Sequence, residues 1–196
     1  MHPSSPMRTF DPIRVARYEK DSWVAYYQRR WFELLRLLIG LVRSTYGVSI
    51  LRAIYIGIPL TCAQIAFAPA DNDVPKAIEY MRQFFAYIKK LHHEEFDPDE
   101  AARAEVNWWV VHRQFFGQSH NPAVIDAVAQ AYAAAYRIDP ASVREAAAHR
   151  ALAMVYSDRW VNEGHVENSP LLVQEEDELV KSYTALRAAV AIPNQT

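Results

Sequence analysis

Cysteine and glycine are scarce in this sequence, with one cysteine, Cys62, and five glycines among 196 residues. A lone cysteine excludes an internal disulfide framework and any metal site built from several thiolates, and it fits a reducing cytoplasm. The sequence also lacks a Walker-type phosphate loop, a dinucleotide-binding glycine motif and a Gly-x-Ser-x-Gly turn. We therefore expect no nucleotide cofactor and no common hydrolase mechanism, and we predict a cytoplasmic location.

A strong excess of one charge is also absent, because the formal net charge is −2. This balance provides no global attraction to nucleic acid, so a nucleic-acid partner is not expected. One local feature is a row of Arg29, Arg36 and Arg43, spaced seven residues apart within a helical pattern. That interval is close to two turns and places the row on one helical face. We interpret the face as solvated, with contact to phosphate or anionic lipid as the alternative.

Long uncharged runs are limited to residues 53–70, whose length reaches the lower limit for a transmembrane helix, about 17–25 residues. Gly57, Pro59 and Pro69 interrupt this run, and Arg52 directly precedes it. A helix that is apolar on all sides is also expected at the centre of a helical protein. We therefore predict a central apolar core helix and expect no membrane contact; a membrane-associated protein anchored by residues 48–68 is the third interpretation.

Helix starts are marked by a capping residue followed by proline, which is tolerated at the first helical position. These pairs are Asp11-Pro12, Asp97-Pro98, Asn121-Pro122, Asp139-Pro140 and Ser169-Pro170, and Asp73 is a further predicted cap. The predicted helical segments are 12–45, 48–68, 74–93, 98–116, 122–137, 140–163 and 170–191. They indicate an all-α protein with a single domain over residues 1–196. We predict an irregular bundle of about six or seven helices and a flexible N-terminal tail over residues 1–10.

Glu105 and His112 are the clearest indication of chemistry. In the segment EVNWWVVHRQFF they share one helical stripe with Trp109 and Phe116. Burying an ionised group without a partner is costly, so each is expected to contact another side chain, a metal or a ligand. We take Glu105 and His112 as candidate catalytic residues, with His112 as the general acid or base and Glu105 orienting it.

Two other predicted helices also carry ionisable and aromatic side chains on single stripes. One stripe contains Glu145, His149, Ala153, Tyr156 and Trp160, and the other contains Glu19, Trp23, Tyr26, Arg30 and Glu33. If the three stripes converge, they form an aromatic-walled pocket for a small-molecule ligand. The residues predicted to line this pocket are Trp23, Tyr26, Arg30, Trp109, His149, Tyr156 and Trp160.

A divalent transition metal is the second type of ligand that the stripes suit. Its candidate ligands are Glu105, His112, Glu145 and His149, which offer carboxylate oxygens and imidazole nitrogens. Glu145 and His149 are four residues apart, which places them on adjacent turns, whereas Glu105 and His112 are separated by about 10 Å along the axis. The sequence has no Glu-x-x-His, the signature of ferritin-like di-iron bundles, so di-iron chemistry is a minor alternative.

The competing hypothesis is a non-catalytic interaction module. In that case Glu105 pairs with Arg113, Arg150 or Arg30, and His112 donates to a carbonyl or to Tyr156, forming a polar network that sets the helix register. An apolar helix face would then meet a partner or a second copy in a homodimer. The pattern of residues leaves the ligand-binding and interaction hypotheses open.

Overall fold

The computed structural model describes residues 5–191, and this part of the chain forms eight α-helices and two short 3₁₀ helices, with no strand. The all-α class is therefore confirmed. The α-helices are α1 (Pro12–Tyr27), α2 (Trp31–Tyr46), α3 (Ile50–Phe67), α4 (Val74–His92), α5 (Pro98–Gln114), α6 (Pro122–Tyr136), α7 (Arg144–Asn162) and α8 (Pro170–Ala191).

The predicted capping residues are confirmed. Asp11 accepts from the backbone N–H groups of Ile13 and Arg14, and Asp73 accepts from that of Lys76. Comparable bonds join Asp97 to Asp99, Asn121 to Ala123, Asp139 to Ala141 and Ser169 to Leu171. Each cap satisfies N–H groups that have no partner within the helix, so these starts follow from local sequence alone.

The predicted helix 12–45 is wrong, because the chain breaks it into α1 and α2. Arg29 lies between them in the left-handed conformation, with a φ of 57°. That conformation is uncommon for residues other than glycine, and neither glycine nor proline occurs at positions 28–30 to indicate a turn. The break folds α2 back against α1 and raises the number of α-helices among the described residues to eight.

The apolar helix α3 is not central as predicted. It packs against α2 and α4, while its outer side chains are exposed, including Leu51 at 76% and Tyr55 at 62%. The apolar composition of a helix indicates that it avoids water. It does not indicate which face of the helix will be covered by neighbouring helices. Over the described part of the chain, α3 is the one helix long and apolar enough to cross a membrane.

The segment expected as a flexible tail contributes to the core over its described part. Pro6–Arg8 form a short 3₁₀ helix, and Met7 and Phe10 are buried. The Phe10 ring meets Tyr183 edge to face at 5.8 Å. Residues 1–4 lie outside the described residues.

Sequential helices pack against one another from α1 to α8, and α8 returns to pack against α1. This closed succession surrounds an interior cavity. Short connections favour antiparallel neighbours.

Candidate functional site

The interior cavity has a volume of about 340 Å³, and every one of α1 to α8 contributes side chains to its wall. This volume is within the range of small-molecule sites, about 300–1,000 Å³. Apolar and aromatic side chains dominate the wall, and a few ionisable groups interrupt it. Such a wall favours a ligand that is mostly apolar and has one or two polar atoms.

Arg150 and Glu19 form a buried ion pair in the cavity wall. Arg150 Nη1 also donates to the Tyr132 hydroxyl oxygen at 3.1 Å, and the Tyr183 hydroxyl donates to Glu19 Oε2 at 2.6 Å. Four side chains from α1, α6, α7 and α8 thus form one hydrogen-bonded network. Groups from four helices must be in place together, so the network links the positions of those helices.

Burial and the charge of the partner shift the pKa of each member of the ion pair in opposite directions. Burial raises the pKa of the Glu19 carboxyl above its ordinary value, and the adjacent Arg150 guanidinium opposes that rise. Burial tends to lower the pKa of Arg150, but the Glu19 charge raises it overall, so the guanidinium stays charged. The pair is therefore best described as a carboxylate and a guanidinium that neutralise each other.

Three buried polar atoms in the cavity wall have no hydrogen-bond partner among the described residues: Arg150 Nε, Trp108 Nε1 and Ser157 Oγ. Arg150 is 8% exposed and Trp108 is 7% exposed. The guanidinium carbon of Arg150 lies 4.8 Å from the centre of the Trp108 ring, so both side chains belong to one part of the wall. Leaving a buried donor unsatisfied costs about 1–3 kcal/mol, and an acceptor atom within the cavity would remove that cost.

Glu105 lines the same cavity and accepts a hydrogen bond from Trp109 Nε1 at 3.3 Å. The Trp109 ring in turn meets the Phe67 ring edge to face at 5.5 Å. Glu105 therefore has a partner on its own helix and adds a second carboxylate to the wall.

His112 lines the cavity and donates from Nε2 to Asp158 Oδ1 at 3.0 Å. Asp158 is fully buried, and its Oδ2 accepts from the Ser119 hydroxyl at 2.5 Å and from the Gly117 N–H at 2.9 Å. Since Asp158 uses His112 Nε2–H as a donor, Nδ1 is the ring atom that can accept a proton. Asp158, and not the predicted Glu105, orients the imidazole.

Replacing Asp158 by asparagine is expected to lower the free energy of unfolding by about 1–3 kcal/mol. Asparagine replaces one of the two carboxylate oxygens by a nitrogen that donates, so it cannot accept every bond that Asp158 Oδ1 and Oδ2 accept from three donors. Chemical denaturation should be compared with Asp177→Asn, the same change at an exposed position of α8. Equal stability of the two variants would contradict a structural role for the Asp158 carboxylate.

Glu19 and Phe116 of the sequence stripes line the cavity, together with five of the predicted catalytic and pocket residues: Trp23, Tyr26, Glu105, Trp109 and His112. Those five come from α1 and α5. The convergence of these two stripes leaves the α7 stripe outside, because the face of α7 that reaches the cavity carries Arg150, Met154 and Ser157.

The other predicted pocket residues have different partners or lie elsewhere. His149 Nδ1 lies 2.6 Å from Glu178 Oε2, and Trp160 Nε1 donates to the Val166 carbonyl at 2.9 Å. Arg30 pairs with Glu33 at 2.6 Å on the surface. Tyr156 is half-buried outside the cavity wall, and Glu145 is exposed. The predicted stripe of α7 therefore does not face the cavity. Packing against the other helices sets which side of α7 faces inward, and the sequence of α7 alone does not specify that side.

The four candidate metal ligands are not assembled. Between residues 5 and 191 no group of three or more histidine, cysteine, aspartate or glutamate side chains is placed to hold a metal ion. His112 and His149 contact separate carboxylates, those of Asp158 and Glu178. The arrangement gives no support to a shared metal site.

Sequence reasoning missed the polar centre of the cavity. Arg150 entered only as a potential partner of Glu105, and Tyr132, Tyr183 and Asp158 were not singled out. Arg150, Met154 and Ser157 follow helical spacing in α7, but other stripes of the same helix do so too, so spacing alone did not select this one. Comparisons with protein families, curated proteins and solved structures found no match.

Proposed function

We propose that this protein binds a small, uncharged and largely apolar molecule that carries one acceptor oxygen, such as a carbonyl or hydroxyl. The observation that carries the proposal is that two of the unpartnered buried donors, Arg150 Nε and Trp108 Nε1, lie in one part of the cavity wall. A ligand oxygen near them would accept one or both hydrogen bonds, and its apolar part would occupy the aromatic-walled volume.

The charges in the wall favour an uncharged ligand. Glu19 already neutralises Arg150, and Glu105 adds another carboxylate to the cavity. An anionic ligand would meet these two acids in the cavity wall, where like charges repel. A carbonyl or hydroxyl oxygen can use the free donors without adding charge.

The binding test compares three probes of similar size: acetylnaphthalene, ethylnaphthalene and naphthoate. We expect acetylnaphthalene to bind about fivefold to tenfold more tightly than ethylnaphthalene, because only the ketone offers an acceptor to the buried donors. Naphthoate is expected to bind more weakly than the ketone. Tryptophan fluorescence gives the affinities, and the rise in thermal stability with ligand concentration provides an independent measurement.

A matched pair of variants tests the donor assignment. Trp108→Phe retains an aromatic ring but lacks the Nε1 donor, so it should reduce the preference for the ketone. Trp31→Phe makes the same change outside the cavity wall and should leave the preference unchanged. Equal binding of ketone and hydrocarbon by the unmodified protein would overturn the proposal. Absence of binding by all three probes would favour a purely structural polar network.

A second candidate function is acid–base chemistry on the bound molecule, favoured by the contact of cavity-lining His112 with buried Asp158. If His112 Nδ1 removes a proton next to the ketone carbonyl, the methyl group of acetylnaphthalene exchanges hydrogen for deuterium in heavy water. His112→Gln should abolish that exchange and retain binding. Exchange that continues unchanged in this variant would exclude His112 as the base.

A further inference from the structure

The outer surfaces of α2 and α3 carry a group of exposed apolar side chains. Phe32 on α2 is 94% exposed, and the first half of α3, from Ile50 to Ile58, adds five more. We call this group the outer face, which consists of Phe32, Ile50, Leu51, Ile54, Tyr55 and Ile58. Single exposed apolar residues are ordinary on protein surfaces, but a contiguous group marks a contact surface for a partner or a membrane.

A groove along the outer face is lined by three arginines and by no acidic side chain. These are Arg14, Arg36 and Arg43, all exposed. Arg14 and Arg43 form no ion pair with any other residue of the range 5–191, and Arg36 lies 3.8 Å from Glu33. Arg14 and Arg43 thus place positive charge without an acidic partner beside exposed apolar side chains.

We propose that the outer face binds the surface of an anionic phospholipid bilayer. Apolar side chains would enter the boundary between headgroups and acyl chains, while the arginines contact lipid phosphates. This combination of an apolar surface and nearby cations is typical of helices that lie in the membrane plane. The proposal does not depend on the identity of the cavity ligand.

The packing of α3 supports contact along the surface and not a membrane span. Its inner side chains, including Ala53, Ile56 and Leu60, are buried. To span a membrane, α3 would have to separate from α2 and α4. The side chains of α2 and α4 that pack against it would then become exposed. A helix lying in the membrane plane keeps these contacts and inserts only its outer side chains.

The charge pattern argues against a second copy as the occupant. In a two-fold dimer the same surface of each subunit meets its counterpart. Arg36 and Arg43 would then approach the arginines of the other copy, and no acid in the groove would neutralise them. Lipid phosphates supply the complementary charge.

The experiment is co-sedimentation of the full chain with vesicles of phosphatidylcholine alone or mixed with phosphatidylglycerol. Binding is expected with the mixed vesicles and should weaken as salt is raised. Leu51→Glu should abolish it, and Arg36→Gln with Arg43→Gln should weaken it by about fivefold for each arginine removed. Val173→Glu changes an apolar residue of α8 that is 63% exposed, and it should bind like the unmodified protein.

Helical content measured by circular dichroism separates loss of binding from loss of folding. Absence of binding to the mixed vesicles by the folded, unmodified chain would overturn the proposal, as would equal loss in Leu51→Glu and Val173→Glu. The proposal also fails if the chain is a dimer that Leu51→Glu dissociates while vesicle binding is unaffected. Because Arg36 and Arg43 are exposed, their double variant keeps the test informative if Leu51→Glu does not fold.

Discussion

Replacing Arg150 by methionine is expected to lower the free energy of unfolding by about 3–5 kcal/mol. The change removes the guanidinium but leaves Glu19 buried, with Tyr183 as its remaining hydrogen-bond partner. An uncompensated buried carboxylate is costly to keep in the folded state. Urea denaturation followed by circular dichroism measures the change. Arg159→Met serves as the matched control, since Arg159 is an exposed arginine of the same helix.

The double variant Arg150→Met with Glu19→Met is expected to recover most of the lost stability. Removing both charges eliminates the desolvation cost that either one alone would leave. This double-mutant cycle also gives the coupling energy of the pair. If Glu19→Met brings no recovery, the loss arises instead from the packing of Arg150 against Trp108 and Tyr132.

Replacing Glu175 by leucine is expected to raise the free energy of unfolding by about 1–3 kcal/mol near neutral pH. Glu175 is fully buried in α8, and neither carboxyl oxygen has a hydrogen-bond partner among the described residues. Leucine has a similar size and no polar atom to desolvate. Denaturation midpoints of the two proteins measure the gain. Glu176→Leu should show no such gain, because Glu176 pairs with Arg17 and Lys20 near the surface.

The stability gain from Glu175→Leu should depend on pH. Burial raises the pKa of Glu175 well above its ordinary 4.5; Glu19, Asp21 and Asp158 raise it further, and Lys20 lowers it. The folded state therefore keeps a proton that the unfolded chain releases, so stability falls as pH rises from the unfolded pKa towards the folded one. The gain should be smaller near about pH 4 and larger near about pH 7. A gain that is independent of pH would contradict a raised pKa.

The helix starts could be predicted from sequence because capping is local. Asp11, Asp73, Asp97 and Asn121 each satisfy N–H groups within three residues of their own position. The face of α5 could also be predicted, since Glu105, Trp109 and His112 follow helical periodicity and line the cavity. These features require no knowledge of distant parts of the chain.

The break after α1 and the side of α7 that faces the cavity could not be predicted in this way. Arg29 adopts a left-handed conformation without a glycine to mark it. Several stripes of α7 contain both polar and apolar side chains, and only contact with neighbouring helices selects the one carrying Arg150. The outer side of α3 is exposed despite its apolar composition, because no helix between residues 5 and 191 covers it.

The sequence by itself determined the all-α class, the helix starts and which side chains share a face, because each depends on interactions over a few residues. Only the tertiary structure decided which faces meet around the cavity. Arg150 and Glu19 are 131 positions apart, and their pairing depends on the closure of α8 against α1 as much as on either residue. A helical period describes one helix, whereas a site between helices depends on the packing of all of them.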